Sequence, residues 1–312
     1  MTGVTTLDPL PAVALVTAVL AGGAYLAAVA DRILFAMAAG HRPVTATALT
    51  APVRQAVALV RQQPVTTEAP DMIAWVWAPA AYAGLAAMGL SVVPLGPDLA
   101  VADVRTGIVV FGAAEALAIV AIFLHGWAPN SLFPLVAGYR FVGVALSYEL
   151  LSMFVLIAAA IPAESLSIGA IVESQAGLWN VVRQPLGLPL FLIVVAGVTF
   201  VGPLGVVDSA DLAGGGAAED SGVQRLAWST ARAAMLVTFA AAAAAVFLGG
   251  WHGPWLPGAV WMAGKTAVVV VVVIAARHLV ARVSPERFVR VAWTVLLPLA
   301  FLDLVIAGVA SL

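Results

Sequence analysis

Four ionisable side chains lie inside long apolar runs of this sequence: Glu115, Glu149, Lys265 and Asp303. A charge at the centre of a bilayer costs roughly 2.5–3.5 kcal/mol on insertion scales, so such residues face protein or water. Buried carboxylates at this depth are also the groups that carry protons in pumps and transporters. At a rise of about 1.5 Å per residue, all four lie roughly 10–16 Å from the same end of their spans. The sequence therefore predicts one polar layer.

Glu149 is the most informative of the four, because it occupies the middle of its apolar run in the triplet Ser147-Tyr148-Glu149. Ser152 follows three positions later on the same helical face, so we expect its hydroxyl to help satisfy the carboxylate. For Glu149 and Glu115 two interpretations stay open at this point: part of a polar chain that carries protons, or structural contacts that fix helix register. For Lys265 and Asp303 the sequence favours a structural ion pair that fixes helix register.

A second set of titratable groups lies in the acidic segment 202–227, which holds Asp208, Asp211, Glu219 and Asp220. Three glycines at 214–216 indicate flexibility or close approach by another group. A solvated surface loop is the simpler interpretation of this segment. A segment that another molecule approaches closely is the alternative.

The composition of the chain indicates the class of protein to which these ionisable groups belong. Of the 312 residues, 63% are hydrophobic and 10% charged, and the mean hydropathy is +1.07. A soluble protein of this size could not bury so much apolar surface. Since only helices and closed barrels satisfy their backbones in lipid, we predict an all-α polytopic membrane protein that forms one transmembrane domain over residues 1–312.

The same composition bears on cofactors. The chain has no cysteine, which excludes disulfides, thiolate metal sites and cysteine-ligated clusters. Its four histidines form no closely spaced pair, so we predict no metal site. No glycine-rich dinucleotide loop follows a strand-like run. The sequence therefore predicts no redox cofactor site of these kinds in the chain.

Eight apolar segments are long enough to cross a bilayer, since about 20 residues span about 30 Å. They cover residues 10–30, 72–95, 106–125, 137–160, 186–207, 231–250, 258–281 and 288–311.

The basic residues around these segments predict the orientation, because cytoplasmic loops are enriched in arginine and lysine. On one side lie ten arginines: Arg32, Arg42, Arg54, Arg61, Arg225, Arg232, Arg277, Arg282, Arg287 and Arg290. On the other lie only Arg105 and Arg183. We place the arginine-rich side in the cytoplasm and both termini outside.

Two further segments are too polar to span. In residues 45–63 the apolar positions Leu49, Val53, Val57 and Val60 share one helical face. This pattern is typical of an amphipathic helix in the membrane interface, or of a connecting helix packed on the bundle. Residues 166–182 resemble a similar interfacial piece on the opposite side, with Trp179 as its anchor.

Several motifs occur in the order and spacing of one known family. They are Gly126-Trp-Ala-Pro-Asn-Ser followed by Ser147-Tyr-Glu, then Phe247-Leu-Gly-Gly-Trp, Lys265, and Arg290-Val-Ala-Trp-Thr-Val-Leu-Leu-Pro-Leu-Ala. Together they resemble the membrane subunit called subunit 1, or the H subunit, of proton-pumping NADH:quinone oxidoreductase (respiratory complex I). The matching subunit of energy-converting hydrogenases belongs to the same family. The resemblance covers nearly the whole chain.

This resemblance implies a function for the predicted residues. In the family, the subunit joins the cytoplasmic redox arm to the membrane pumping arm and forms part of the quinone chamber. Glu149 falls on the family's coupling glutamate. Asp208, Asp211 and Glu219 fall on its acidic loop. Arg32, Arg42 and Arg54 lie on the side that faces quinone or docks the redox arm.

The chain also departs from the family pattern on that side. Gly205 follows Pro203-Leu204 where the family has aspartate after Pro-Phe, and Asp220 replaces the tyrosine after the loop glutamate. The Gly-Pro-Asn-Arg loop after the first span is absent. These changes are expected if the chain is a divergent member of the family that works with another electron donor or acceptor.

The resemblance implies a subunit without a redox centre, in a redox-driven proton translocase of the bacterial plasma membrane. Its partners would be membrane subunits and peripheral iron–sulfur subunits, with quinone shared among them and no nucleic acid. The alternatives are a hydrogenase-like anchor without quinone, a stand-alone ion transporter, and a scaffold that has lost transport. Co-purification of iron–sulfur subunits separates the translocase and the hydrogenase-like anchor from a transporter.

Overall fold

A computed structural model describes residues 8–41, 45–97, 99–208 and 215–310. These residues form twelve α-helices and contain no β-strand. The helices are α1 Pro9–Ala38, α2 Thr45–Arg61, α3 Met72–Ser91, α4 Gly107–Trp127, α5 Leu132–Ala160, α6 Ile168–Glu173, α7 Asn180–Arg183, α8 Gly187–Thr199, α9 Gly222–Phe247, α10 Gly258–Leu279, α11 Pro285–Val291 and α12 Leu297–Ala310.

Eight spanning helices are present in the described chain, which confirms the predicted all-α membrane fold. They are α1, α3, α4, α5, α8 with the 3₁₀ turn after it, α9, α10, and α11–α12 joined by the π-helical segment Ala292–Leu296. The first span begins near its predicted start but runs eight residues past its predicted end. The additional helical turns contain Arg32, a charged residue that lies beyond the apolar run from which the span was predicted.

Helix α9 forms the centre of the bundle. It is buried on every side through a run of alanines, Ala240–Ala245, and packs against α1, α3, α8 and α10. Small side chains allow helix backbones to approach closely in membranes. The contact between α1 and α9 also depends on a small residue. A Cβ at Gly23 of α1 would lie 2.7 Å from a methyl carbon of Val237 on α9.

The charged segments gather at one end of the bundle. There the backbone of Asp71 bonds to Ala128, Ser221 bonds to Val65, and Val283 bonds to Pro203. We call this end, formed by residues 31–41, 45–71, 125–132, 200–208, 215–225 and 277–287, the basic end. The opposite end consists of residues 92–97, 99–106, 161–186 and 248–258.

Helix α2 confirms the predicted helix at 45–63. It packs against α1 and α9, but its apolar face points away from the bundle, with Leu49, Val53, Val57 and Val60 all exposed. The segment therefore has features of both a connecting helix packed on the bundle and an interfacial amphipathic helix. The helix is attached to the bundle and still presents an apolar stripe to its surroundings, as an interfacial helix does.

Residues 166–182 form two short helices, α6 and α7, instead of one interfacial helix. Ile168, Ile171 and Val172 are buried against the bundle. Trp179 packs against Gly249 and lies under the Lys265 ammonium, whose nitrogen is 4.1 Å from the ring centroid. The segment thus covers the opposite end of the bundle.

Candidate functional site

Glu115 and Glu149 lie on the neighbouring helices α4 and α5 and interact electrostatically. Glu115 is 1% exposed, and Glu149 is half-buried. The expected contact from Ser152 to Glu149 is wrong, because the Ser152 hydroxyl donates to Glu115 Oε2 at 2.6 Å. Helix α4 brings Glu115 within reach of that hydroxyl.

Each glutamate keeps one buried oxygen, Oε1 of Glu115 and Oε2 of Glu149, without a hydrogen-bond partner among the described residues. Buried oxygens are normally paired, and exceptions occur where a group binds a proton, an ion or water in function. Like charges at short range also couple the protonation of two carboxyls. Two carboxyls arranged in this way are chemically able to exchange protons.

Tyr148 connects this pair with the rest of the bundle. Its ring is fully buried beside Glu115 and Glu149, and it also interacts with Tyr82 on α3. Tyr82 in turn donates from its hydroxyl to the Val198 carbonyl at 2.5 Å and stacks on Trp228. A row of buried polar side chains therefore runs from the glutamates toward the basic end.

Lys265 and Asp303 do not form the predicted ion pair. The Lys265 ammonium donates to the carbonyls of Gly250 (2.9 Å) and His252 (2.6 Å). Asp303 is fully buried next to Gly187, at the N-terminus of α8, where a helix dipole favours negative charge. Lys265 therefore meets backbone carbonyls instead of the Asp303 carboxylate, and neither oxygen of Asp303 has a hydrogen-bond partner among the described residues. Sequence spacing could not reveal this.

Asp208 belongs to a partly buried ion pair. Its carboxylate accepts from the Arg232 guanidinium and from Trp228 Nε1, the latter at 3.0 Å. Arg232 also donates to the carbonyls of Thr199 and Phe200, where α8 ends. This end of the acidic segment is therefore fixed in the bundle, which excludes a wholly solvated loop for Asp208.

Asp220 lies at the other end of the segment and pairs with His125 in the last turn of α4. The distance from His125 Nε2 to Asp220 Oδ2 is 3.0 Å, and both side chains are completely buried. Asp220 also accepts from Trp75 Nε1 at 3.2 Å. Its neighbour Glu219 accepts from the Ser131 hydroxyl at 2.7 Å. Asp211 lies outside the described residues.

Two of the three arginines predicted for the quinone or docking side lie around one cavity. Arg32 and Arg54 line a cavity of about 280 Å³ between α1 and α2, together with Phe35, Ala36, Thr47, Ala48 and Ala51. Arg32 donates to Gln55 at 2.8 Å, and Arg54 donates to the Thr47 carbonyl at 3.3 Å. Arg42 lies outside the described residues.

Sequence reasoning missed His125, and it treated Asp220 as one acid of the loop and as a departure from the family, without a partner. One signal was available, since a histidine in the last turn of a span, followed by a polar turn, is costly unless it has a partner. The identity of that partner could not be predicted, because Asp220 lies 95 positions further along the chain.

The fold and site together define a polytopic membrane protein with paired carboxyls in its interior and a buried polar cluster at its basic end. A family model described as NADH dehydrogenase matches residues 10–308. An H subunit of NADH-quinone oxidoreductase from Rhodopseudomonas palustris (strain HaA2) is 34% identical over 240 residues, which are 77% of this chain and 75% of that protein.

Two other relatives are less similar over a longer stretch. An H subunit of the same enzyme from Geobacter metallireducens is 30% identical over 270 residues, covering 83% of this chain and 82% of its own length. Its counterpart from Syntrophobacter fumaroxidans is 28% identical over the same length. The chain belongs to the NADH dehydrogenase membrane-subunit family that contains these proteins.

Proposed function

We propose that this chain is the subunit of a proton-translocating NADH:quinone oxidoreductase that links redox chemistry at the basic end to proton movement in the membrane. Its relatives are named as subunits of NADH-quinone oxidoreductase, which supports such an assembly. The basic end would face the cytoplasm and receive iron–sulfur subunits. The chain would contribute no redox centre of its own.

One observation carries the proposal. Glu115 and Glu149 interact inside the bundle, each with a buried oxygen that no described residue satisfies. In a family member, this pair is the best candidate for the group that takes up and releases protons as charge changes at the basic end. Asp208, Glu219 and Asp220 would provide that charge change, with Asp211 as a further acid of the same segment.

The cavity between α1 and α2 is our candidate for the quinone-facing wall. The residues present fit a quinone in part, since Phe35 and the alanines are apolar and Arg32 and Arg54 can donate hydrogen bonds to carbonyl oxygens. When bound, a quinone accepts two electrons and two protons. The arginines of this chain would orient the ring and favour negative charge on its oxygens.

The Glu149→Gln substitution tests the coupling role. The amide keeps the shape and hydrogen bonding of the side chain but cannot titrate, so assembly should survive while proton translocation falls roughly tenfold or more. Glu149→Asp should retain part of the activity. Translocation is measured in vesicles that contain the assembled complex and is normalised to complex content. Wild-type pumping by Glu149→Gln would leave Glu149 as a structural residue.

A further inference from the structure

His125 and Asp220 form a buried pair with an unusual hydrogen-bond inventory. Both oxygens of Asp220 are engaged, because Oδ2 contacts His125 Nε2 and Oδ1 accepts from Trp75. The imidazole ring stacks on the indole of Trp228, with centroids 3.7 Å apart and planes 10° apart. Asp220 and Trp228 therefore hold the imidazole in one orientation.

The second ring nitrogen has no such partner. His125 Nδ1 is buried and contacts no hydrogen-bonding atom among the described residues. When Asp220 is ionised, the hydrogen of a neutral imidazole belongs on Nε2, so Nδ1 carries a free lone pair. This lone pair is the position at which the ring can accept a second proton. The resulting imidazolium is stabilised by the Asp220 carboxylate and by the face of the Trp228 indole.

The charged side chains described around the His125–Asp220 pair bond to other groups. Asp208 and Arg232 pair with each other, and Asp208 meets the nitrogen of the Trp228 indole rather than the imidazole. Glu219 is engaged with Ser131. Tyr82 of α3 stacks on the same indole and bonds to a backbone carbonyl. Within the part of the chain that the structure describes, His125 forms its ion pair with Asp220 alone.

We propose that His125 and Asp220 form a further proton-binding site at the basic end, in which Nδ1 takes one proton and the pair changes from one negative charge to neutral. The site lies between the acidic segment and Glu115, which is on the same helix roughly 15 Å deeper. This inference rests on the coupling function proposed above and adds a proton site to it. Asp220 acts as a positioning residue, since it sets the tautomer and stabilises the charged ring.

The protonation state can be measured on the full chain in lipid nanodiscs, with ¹⁵N-labelled histidine and magic-angle-spinning NMR. His125→Gln identifies the signal among the four histidines. We expect the Nε2–H tautomer to convert to imidazolium as pH falls, and the titration to change in Asp220→Asn. A ring that stays neutral throughout the working range, or that carries its hydrogen on Nδ1, would overturn the proposal.

Translocation by the assembled complex provides the functional test. His125→Gln keeps a donor near the Nε2 position but loses the second nitrogen, so we expect roughly a tenfold loss per complex. His252→Gln at the opposite end is the matched control, because the His252 ring meets the Val172 carbonyl and the Trp251 ring, far from the acidic segment. Wild-type translocation by His125→Gln would refute the coupling role of the site.

The two tests separate this inference from the function on which it rests. If Glu149→Gln lowers translocation and His125→Gln does not, the coupling function stands and the proton-binding pair fails as part of it. If neither substitution matters but His125 titrates as described, the pair exists and its coupling role fails. If His125→Gln does not assemble, the NMR titration and Asp220→Asn, which preserves side-chain shape, decide the question.

Discussion

At the level of single residues, one hydroxyl determines how the two membrane glutamates differ. Ser152 lies on the same helix as Glu149 and yet bonds across the interface to Glu115. Glu115 is thereby held in one rotamer within a fully buried environment, whereas Glu149 is partly exposed and less constrained. The two carboxyls therefore differ in exposure and in hydrogen bonding, although both lie in the interior of the bundle.

We expect Ser152→Ala to destabilise the subunit by about 1–2 kcal/mol, because a second buried oxygen of Glu115 loses its donor. The change should appear as a lower thermal unfolding midpoint in detergent. Ser229→Ala is the matched control, since the Ser229 hydroxyl bonds to a backbone carbonyl on an exposed surface. Equal midpoints for both variants would contradict a stabilising Ser152–Glu115 bond.

At the level of helices, the site depends on how closely α8 approaches α5. Gly197 of α8 faces the Tyr148 ring, and a Cβ there would lie 2.8 Å from Tyr148 Cδ1. From another side of α5, Trp293 in the π-helical segment donates to Ser147 at 3.2 Å. The Ser-Tyr-Glu triplet is thus held by two neighbouring elements, and π-helical segments often occur at functional positions.

The Gly197→Ala substitution should displace Tyr148 and cost about 1–3 kcal/mol, as overpacking of a tight interface does. Because the ring lies beside Glu115 and Glu149, translocation per assembled complex should fall as well. Gly84→Ala on α3 provides the comparison, since nothing lies within 4 Å of its Cβ position. Similar unfolding midpoints for the two variants would show that α5 and α8 tolerate a wider spacing.

At the level of the whole molecule, charge and apolar surface are separated. The described arginines that flank the spans lie mostly at the basic end, and the spanning helices turn large apolar side chains such as Val109, Leu146 and Phe301 outward. Arg140 is also closer to the basic end of α5 than to the other end. The basic end therefore combines exposed positive charge with the buried acids of the loop.

We predict that residues 202–227, 31–63 and 277–290 form the docking face for peripheral redox subunits. Arg54, Arg225 and Arg287 are exposed on three different segments of this face. Reversing all three charges should release the peripheral arm, because like charges across an interface oppose association. Arg105→Glu at the opposite end should leave the complex intact. Unchanged complex yield of the triple variant on native gels would contradict this surface.

The orientation in the membrane gives a second prediction at this level. The arginine bias places the basic end in the cytoplasm, so a chain with eight spans has both termini outside. A reporter that is active only outside the cytoplasm should be active when fused after Leu312, and a reporter specific for the cytoplasm should be silent there. The opposite result would reverse the orientation and move the docking face outside.

Much of this protein could be predicted from its sequence because the bilayer imposes simple rules. Apolar length determined the number of spans, and the amphipathic pattern at 45–63 determined α2. Collinear motifs identified the family and singled out Glu149. These features depend on residues that are close together in the chain, so periodicity and spacing are enough to predict them.

The partners of the ionisable groups were decided by tertiary structure alone. Ser152 bonds to Glu115 across 37 positions, and His125 bonds to Asp220 across 95. Lys265 is satisfied by the carbonyls of Gly250 and His252, so the expected pair with Asp303 does not form. Depth along a helix axis can be counted from sequence, but the direction in which a side chain points depends on helix rotation. Packing around the alanine-rich α9 sets that rotation, and with it the partner that each buried charge meets.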